Sequence, residues 1–435
     1  MKQTRPSPNV SKMKQNKTIP ECFKNETKQD CPQMFQKGIR RSMKKILIIS
    51  MIIELIICIN SNNCIKCFAI SQATQEKENT NEIINTQKEN LNISDFIKEA
   101  ESYTKETMPG IDLNKLLTTA ISGNIDNVRL AKFFWSLLGK EILNAVTVLS
   151  SIIIIIVIHG ILKSISDGLD NKGVAQVAYY VQYILMVTLV MTNFSEIISM
   201  VKESIQNLVS FINLLIPILI TLMITTGSIV SAGMLQPIIL SMTILIGNFI
   251  TNVIIPIALV STALGIISQI SDKIQIDKLS KFLKSSTVWA LGVILTLFVG
   301  VTSLEGSLSS SVDGVTAKTT KAAVSNFIPV VGKILGDAVD TVMGCSIILK
   351  NALGVVGVIV IIGICIGPIV KLVALMATYY LASALCQPIA DGKIIKLLAH
   401  IGDTFKLLLA IMCSVSAMLI IGVTVIVKIS NNGAV

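Results

Sequence analysis

Charge is what this sequence has least of. Of its 435 residues, 15% are Asp, Glu, Lys or Arg against 52% apolar, and the mean hydropathy is +0.70. Soluble globular chains carry about 25% charged residues, so the shortage excludes an ordinary soluble protein. Histidine is scarcer still, with His159 and His400 the only two. His159 stands near the end of an apolar run, where a boundary histidine is the plainer reading than a proton relay. There is also no Gly-rich phosphate loop, H-E-x-x-H helix, G-x-S-x-G elbow or intramembrane aspartate pair. Ile334-Leu335-Gly336-Asp337 does not have the glycine spacing of intramembrane protease aspartates. The sequence therefore reads as a non-enzyme with no catalytic residues and no cofactor site.

Cysteine supplies no metal site either. Five of the nine lie in 22–67, and Cys345, Cys365, Cys386 and Cys413 lie in or beside apolar segments. Cys64-Ile65-Lys66-Cys67 is formally C-x-x-C, but neither a second pair nor a nearby histidine completes a zinc set.

The net charge of +10 suggests nucleic acid until it is located along the chain. Residues 1–42 carry +7, 43–69 carry +2 and 70–435 only +1. Basicity is thus a property of the N-terminal extension, and no nucleic-acid partner is expected. The fourteen residues Ile46–Ile59 are too short for a membrane span of about 20 residues but suit a signal-peptide core. Arg40, Arg41, Lys44 and Lys45 form its positive flank, and Cys67-Phe68-Ala69 offers small residues for cleavage between Ala69 and Ile70. Met43-Lys44-Lys45 reads as a bacterial signal peptide starting at its own methionine, which makes 1–42 a mis-assigned upstream start. A translated basic tail is the other reading, and an uncleaved signal anchor is a third, because Asn60–Asn63 suits cleavage poorly.

Residues 70–141 form an exported segment, with eight basic and eleven acidic side chains. Ser71–Asn92 reads as a linker. Three helices are expected after it: Ser94–Thr107, Asp112–Ser122 with Asp112 as N-cap, and Asp126–Glu141, whose Phe133, Phe134 and Trp135 suit a headgroup boundary. Residues 142–428 read as a polytopic membrane domain and 429–435 as a tail. A charge at mid-depth costs about 2.5–3.5 kcal/mol on the mildest scale, so charge-free intervals mark spans. They run 142–162, 173–195, 204–271, 285–304, 351–370, 372–390 and 407–427. Lys350 and Lys371 flank one of them and read as snorkelling to the interface.

The interval 204–271 would extend roughly 100 Å as one helix against a hydrocarbon core of about 30 Å, so it must fold back at least once. Pro217, Gly227, Gly233, Pro237 and Pro256 interrupt it, as either a hairpin of full spans or a re-entrant pair of broken helices. Two amphipathic stretches, 196–215 and 266–284, could lie flat on the membrane. The small-residue-rich stretch 305–346 reads as folded, and Gly332/Gly336 and Gly363/Gly367 have the spacing for close helix approach. The expectation is an all-α polytopic membrane protein of about eight transmembrane helices, between seven and nine, with interfacial amphipathic helices and a small exported helical segment. The candidate packing or passage-lining residues are Pro217, Gly227, Gly233, Pro237, Pro256, Pro329, Gly332, Gly336, Gly363 and Gly367.

Several stretches resemble one family. Ser311-Val312-Asp313-Gly314-Val315-Thr316, Asn326-Phe327-Ile328-Pro329-Val330-Val331-Gly332, Asp340-Thr341-Val342, Leu349-Lys350-Asn351, Lys371 and Gln387-Pro388-Ile389 are similar to the C-terminal half of the stage III sporulation protein AE family. Residues 311–316 and 327–332 are the specific part, and residues 1–42 are foreign to the family. The resemblance implies a membrane subunit of the sporulation channel of endospore-forming Firmicutes, in the mother-cell membrane around the forespore. It implies as partners the other proteins of the same operon, among them membrane and ring-forming subunits and a secretion-type ATPase, together with a forespore-made channel protein and the lipid bilayer. It carries no catalytic residue. The rival reading is a stand-alone secondary transporter with broken re-entrant helices, for which Asn213, Gln236, Asn248 and Asn252 are the candidate ligands.

Overall fold

The structure, a computed structural model, describes residues 77–105, 107–109, 112–122, 127–167, 172–270, 276–327, 332–390 and 392–429. The basic extension, the signal segment with Ala69 and Ile70, and Pro329 lie outside the described residues. Among those described, every element is a helix. They are α1 (Lys77–Asn90), α2 (Ile93–Thr104), α3 (Leu113–Ile121), α4 (Asn127–Asp167), α5 (Lys172–Thr225), α6 (Ile229–Phe249), a π turn (Ile250–Ile254), α7 (Ile255–Ile270), α8 (Asp277–Phe327), α9 (Gly332–Leu385) and α10 (Gly392–Ile429).

Local chemistry explains several of these boundaries. Asp112 caps α3, its carboxylate accepting the Lys115 N–H at 3.1 Å, which satisfies one of the helix's orphan donors. Ile93, Phe96, Ile97, Ala100 and Thr104 recur at helical spacing and form the buried stripe of α2. The expected linker 71–92 is instead largely helix from Lys77, tied down by buried Ile84 and by Gln87 Nε2, which donates to Ser346 Oγ at 2.8 Å. Pro256 lacks an N–H and so leaves a carbonyl in the turn before it without its usual donor. The π turn Ile250–Ile254 lies where that deficit falls.

Six helical stretches are long and apolar enough to cross a membrane by length and composition, against the eight expected. The difference comes from two mergers. Intervals 173–195 and 204–225 are one continuous helix, α5, and intervals 351–370 and 372–390 lie largely on α9. The charges that separate these intervals neutralise each other across the two helices, as Lys371 Nζ donates to Glu196 Oε1 at 2.8 Å. A charge with its partner alongside does not end a helix. For the same reason 196–215 is not a flat-lying helix but the middle of α5, with Val201, Ile205, Leu208 and Phe211 fully buried. Nor is 266–284 one helix, since α7 ends at Ile270 and α8 begins at Asp277.

At the centre, α9 and α10 run antiparallel along most of their length, with Gly354 against Val427 and Gly402 against Tyr380. α10 is buried on almost every side, as a helix apolar all round must be. On one side α4 and α5 pack on α9, and on the other α6, α7 and α8 complete the bundle. Helices α2 and α3 join the same core, because Phe96 and Tyr103 meet Phe211 of α5 with ring centroids 6.0 and 6.5 Å apart.

Candidate functional site

The interruption at Gly227 is a hairpin tip. The Ser228 N–H bonds the Met223 carbonyl and the Gly227 N–H bonds the Ile224 carbonyl, both at 3.0 Å. This paired closure of a helix C-terminus places its central residue in the left-handed region, and Gly227 has φ 83°. A β-carbon there would be strained, which is why glycine occupies the position.

Two residues later α6 starts, and its first N–H groups are met from a different helix. Asp313 of α8, 2% exposed, accepts the Val230 N–H at 2.9 Å and the Ser231 N–H at 3.0 Å through its two carboxylate oxygens. A buried carboxylate is stable where charge-assisted hydrogen bonds and a helix N-terminus receive it. The arrangement latches the tip of the 204–249 hairpin to the 311–316 stretch. Sequence reading quoted Asp313 only within a family-like motif and missed this role. The available signal was a lone acid in an otherwise uncharged small-residue run.

A second polar cluster joins four helices nearer the other end of the bundle. Lys284 Nζ donates to the His400 carbonyl at 3.1 Å and lies 3.3 Å from His400 Nδ1. Thr404 also bonds that carbonyl and meets Thr262 at 3.0 Å, while the Tyr380 hydroxyl donates to Asp403 at 2.7 Å. A β-carbon on Gly265 would overlap the His400 ring, so that glycine creates the seat for the imidazole. Ser261 and Ser280 exchange hydroxyl-to-carbonyl bonds at 2.7 and 2.6 Å. Polar contacts of this kind fix helix–helix register inside an apolar bundle.

Among α1, α2 and α3 an open groove of about 390 Å³ is lined by Lys88, Ile97, Asp112, Lys115 and Thr118, among others. Burial pushes the Lys88 ammonium below its ordinary value.

The remaining candidates fall into distinct classes. Gly363 and Gly367 receive the segment that follows α2: a β-carbon on Gly363 would lie 2.7 Å from Met108 Sδ, and one on Gly367 would lie 3.2 Å from Thr107 Cγ2. Their partner is therefore the segment around Met108-Pro109. Gly233 and Gly336 have open space where a β-carbon would be. Pro217 and Pro237 stand exposed inside α5 and α6, Pro256 is half-buried after the π turn, and Gly332 opens α9. The amides proposed as transporter ligands do not converge, since Asn248 and Asn252 face outward while Asn213 and Gln236 are half-buried. Among the described residues no group of His, Cys, Asp or Glu is arranged to hold a metal ion.

Comparison with known proteins bears on the whole bundle. The family model described as Stage III sporulation protein AE matches residues 111–430. The chain is 34% identical over 300 residues to the Stage III sporulation protein AE of Bacillus subtilis (strain 168), covering 69% of this chain and 75% of that one. No solved structure matches. From helix α3 to the end of α10, the chain belongs to the stage III sporulation protein AE family.

Proposed function

We propose that the chain is a non-enzymatic, multi-span subunit of the channel linking mother cell and forespore, seated in the mother-cell membrane around the forespore. Family membership supplies the sporulation stage. The observation that favours a subunit over a self-sufficient protein is the outer face of α6. There Ile229 and Met234 are exposed beside Gly233 and Pro237, above the latched tip. Small residues among apolar ones admit a close neighbouring helix, and an assembly partner would supply it. The partners in this reading are the other stage III proteins of the operon, both membrane and ring-forming subunits, the secretion-type ATPase and the forespore-made channel protein.

The test is deletion in a sporulating host, scored by late forespore gene expression after engulfment. Loss of that expression is expected, and normal spores would refute the assignment. Solute uptake by the purified protein in liposomes would favour the stand-alone transporter instead.

A further inference from the structure

We infer that on the face formed by α4, α5 and α9 the bilayer ends at the Glu196–Lys371 pair. The apolar stretches 204–225 and 344–370 then lie outside lipid, housed by the exported helices.

Length forces a choice. At 1.5 Å per residue α5 is about 81 Å long, while the hydrocarbon core is about 30 Å, so only part of it is immersed. The ion pair marks which part. Glu196 is 71% exposed, and Glu203 and Gln206 are exposed beyond it. An outward-facing carboxylate does not sit at mid-depth in hydrocarbon. Below the pair the outward side chains are mostly apolar: Ile142 to Ile161 on α4, Val177, Val181, Ile184 and Leu185 on α5, and Leu381 and Leu385 on α9. The polar ones among them, Asn144, Thr147, Ser150 and Thr188, are uncharged, and the three hydroxyls donate to carbonyls of their own helices. The charge-free helical stretches 142–162 and 173–195 correspond to about 31 and 34 Å, and α9 runs on about 21 Å from Lys371 to its end at Leu385. The first two each match one bilayer.

Above the pair the surface changes. On α5 the exposed positions are Gln206, Ser210, Pro217, Thr221 and, at the tip, Ile224 and Thr225, and the rest of that half is buried or half-buried. Phe96, Ile97, Leu113 and Leu117 of α2 and α3 are buried in the shared core, while Asp95, Lys98, Glu99 and Lys115 on the same helices are exposed. Such helices present one face to protein and the other to water. On α8 the lipid-facing run extends from Leu279 through Trp289 to Leu304. Contacts of Phe298 with Gly422, Val427 with Gly354 and Leu215 with Gly357 place that run nearer the hairpin tip than the belt on α5. The bundle axis is therefore inclined to the bilayer normal, within the range known for membrane helices.

The chain has two tryptophans, Trp135 and Trp289, which permits a direct test. The full chain is reconstituted in phosphatidylcholine vesicles with or without bromine on the acyl chains. In W135F protein, Trp289 is expected to lose most of its emission to brominated lipid. In a W135F/W289F background, S210W and T221W are expected to keep theirs. Quenching of either to the level of Trp289 would overturn the inference, and so would an unquenched Trp289, which would mean that protein covers the belt. The Trp289 arm stands on its own if an added tryptophan prevents folding.

Discussion

The two halves of α5 are both free of charge and have opposite surroundings. Residues 173–195 turn Val177, Val181, Ile184, Leu185 and Met191 outward, whereas 204–225 bury Phe211, Leu215, Ile216 and Leu219 and turn Gln206, Ser210 and Thr221 outward. Apolarity alone says that a segment must leave water. It does not say whether lipid or protein receives it, because lipid tails and a packed core satisfy the same demand. What separates the halves is the pattern of the outward face and the presence of a covering helix.

The strongest way to break this comparison is to remove the contact that covers the upper half. Phe211→Ala empties a fully buried ring site against Phe96 and Tyr103, and a loss of about 4 kcal/mol is expected. Thermal unfolding in detergent reads it, with early proteolysis within 93–121. Val181→Ala in the lipid-facing half should change little by comparison. If the two variants lose the same stability, the halves are not different environments.

Next comes the latch. Asp313→Ala leaves the Val230 and Ser231 N–H groups without their acceptor, at a cost of about 3 kcal/mol. Hydrogen exchange at the start of α6 should rise more than exchange in α7.

Glycines give a graded comparison. Gly363→Ala meets Met108 and Thr104 and should cost about 2 kcal/mol through overpacking. Gly233→Ala enters open space within a helix and should be neutral or stabilising by under about 1 kcal/mol in the isolated protein. If assembly uses that face, Gly233→Ala should still impair sporulation.

The smallest effect is expected at the ion pair. Glu196→Gln should cost under about 1 kcal/mol, as exposed pairs do. A loss of several kcal/mol would place the pair in hydrocarbon and reverse the assignment of the halves.

Much of this was legible in the sequence. The all-helical class, the Asp112 cap and the fold-back within 204–271 follow from periodicity and from single residues with strong local preferences. Gly227 was readable as an interruption, although its left-handed backbone was not. The merged helices were not legible, because Glu196 and Lys371 stand 175 positions apart and each alone looks like a span boundary. Asp313 was obscure for the same reason: the donors it satisfies belong to a helix more than 80 residues earlier. Burial of 351–370 beneath α2 and the segment that follows it was likewise beyond reach, since its composition is that of a membrane span.

The Glu196–Lys371 pair has a further consequence for how the protein enters its membrane. Each of α5 and α9 carries two stretches that insertion machinery could accept, so either helix could settle half its length too high or too low. Because the two run antiparallel, with Leu215 beside Gly357 and Glu196 beside Lys371, a slide of one helix separates the pair and pulls a lone charge into hydrocarbon, costing at least about 2.5 kcal/mol. The bridge thus serves as a depth stop, selecting one insertion register out of two that the charge-free intervals alone would allow.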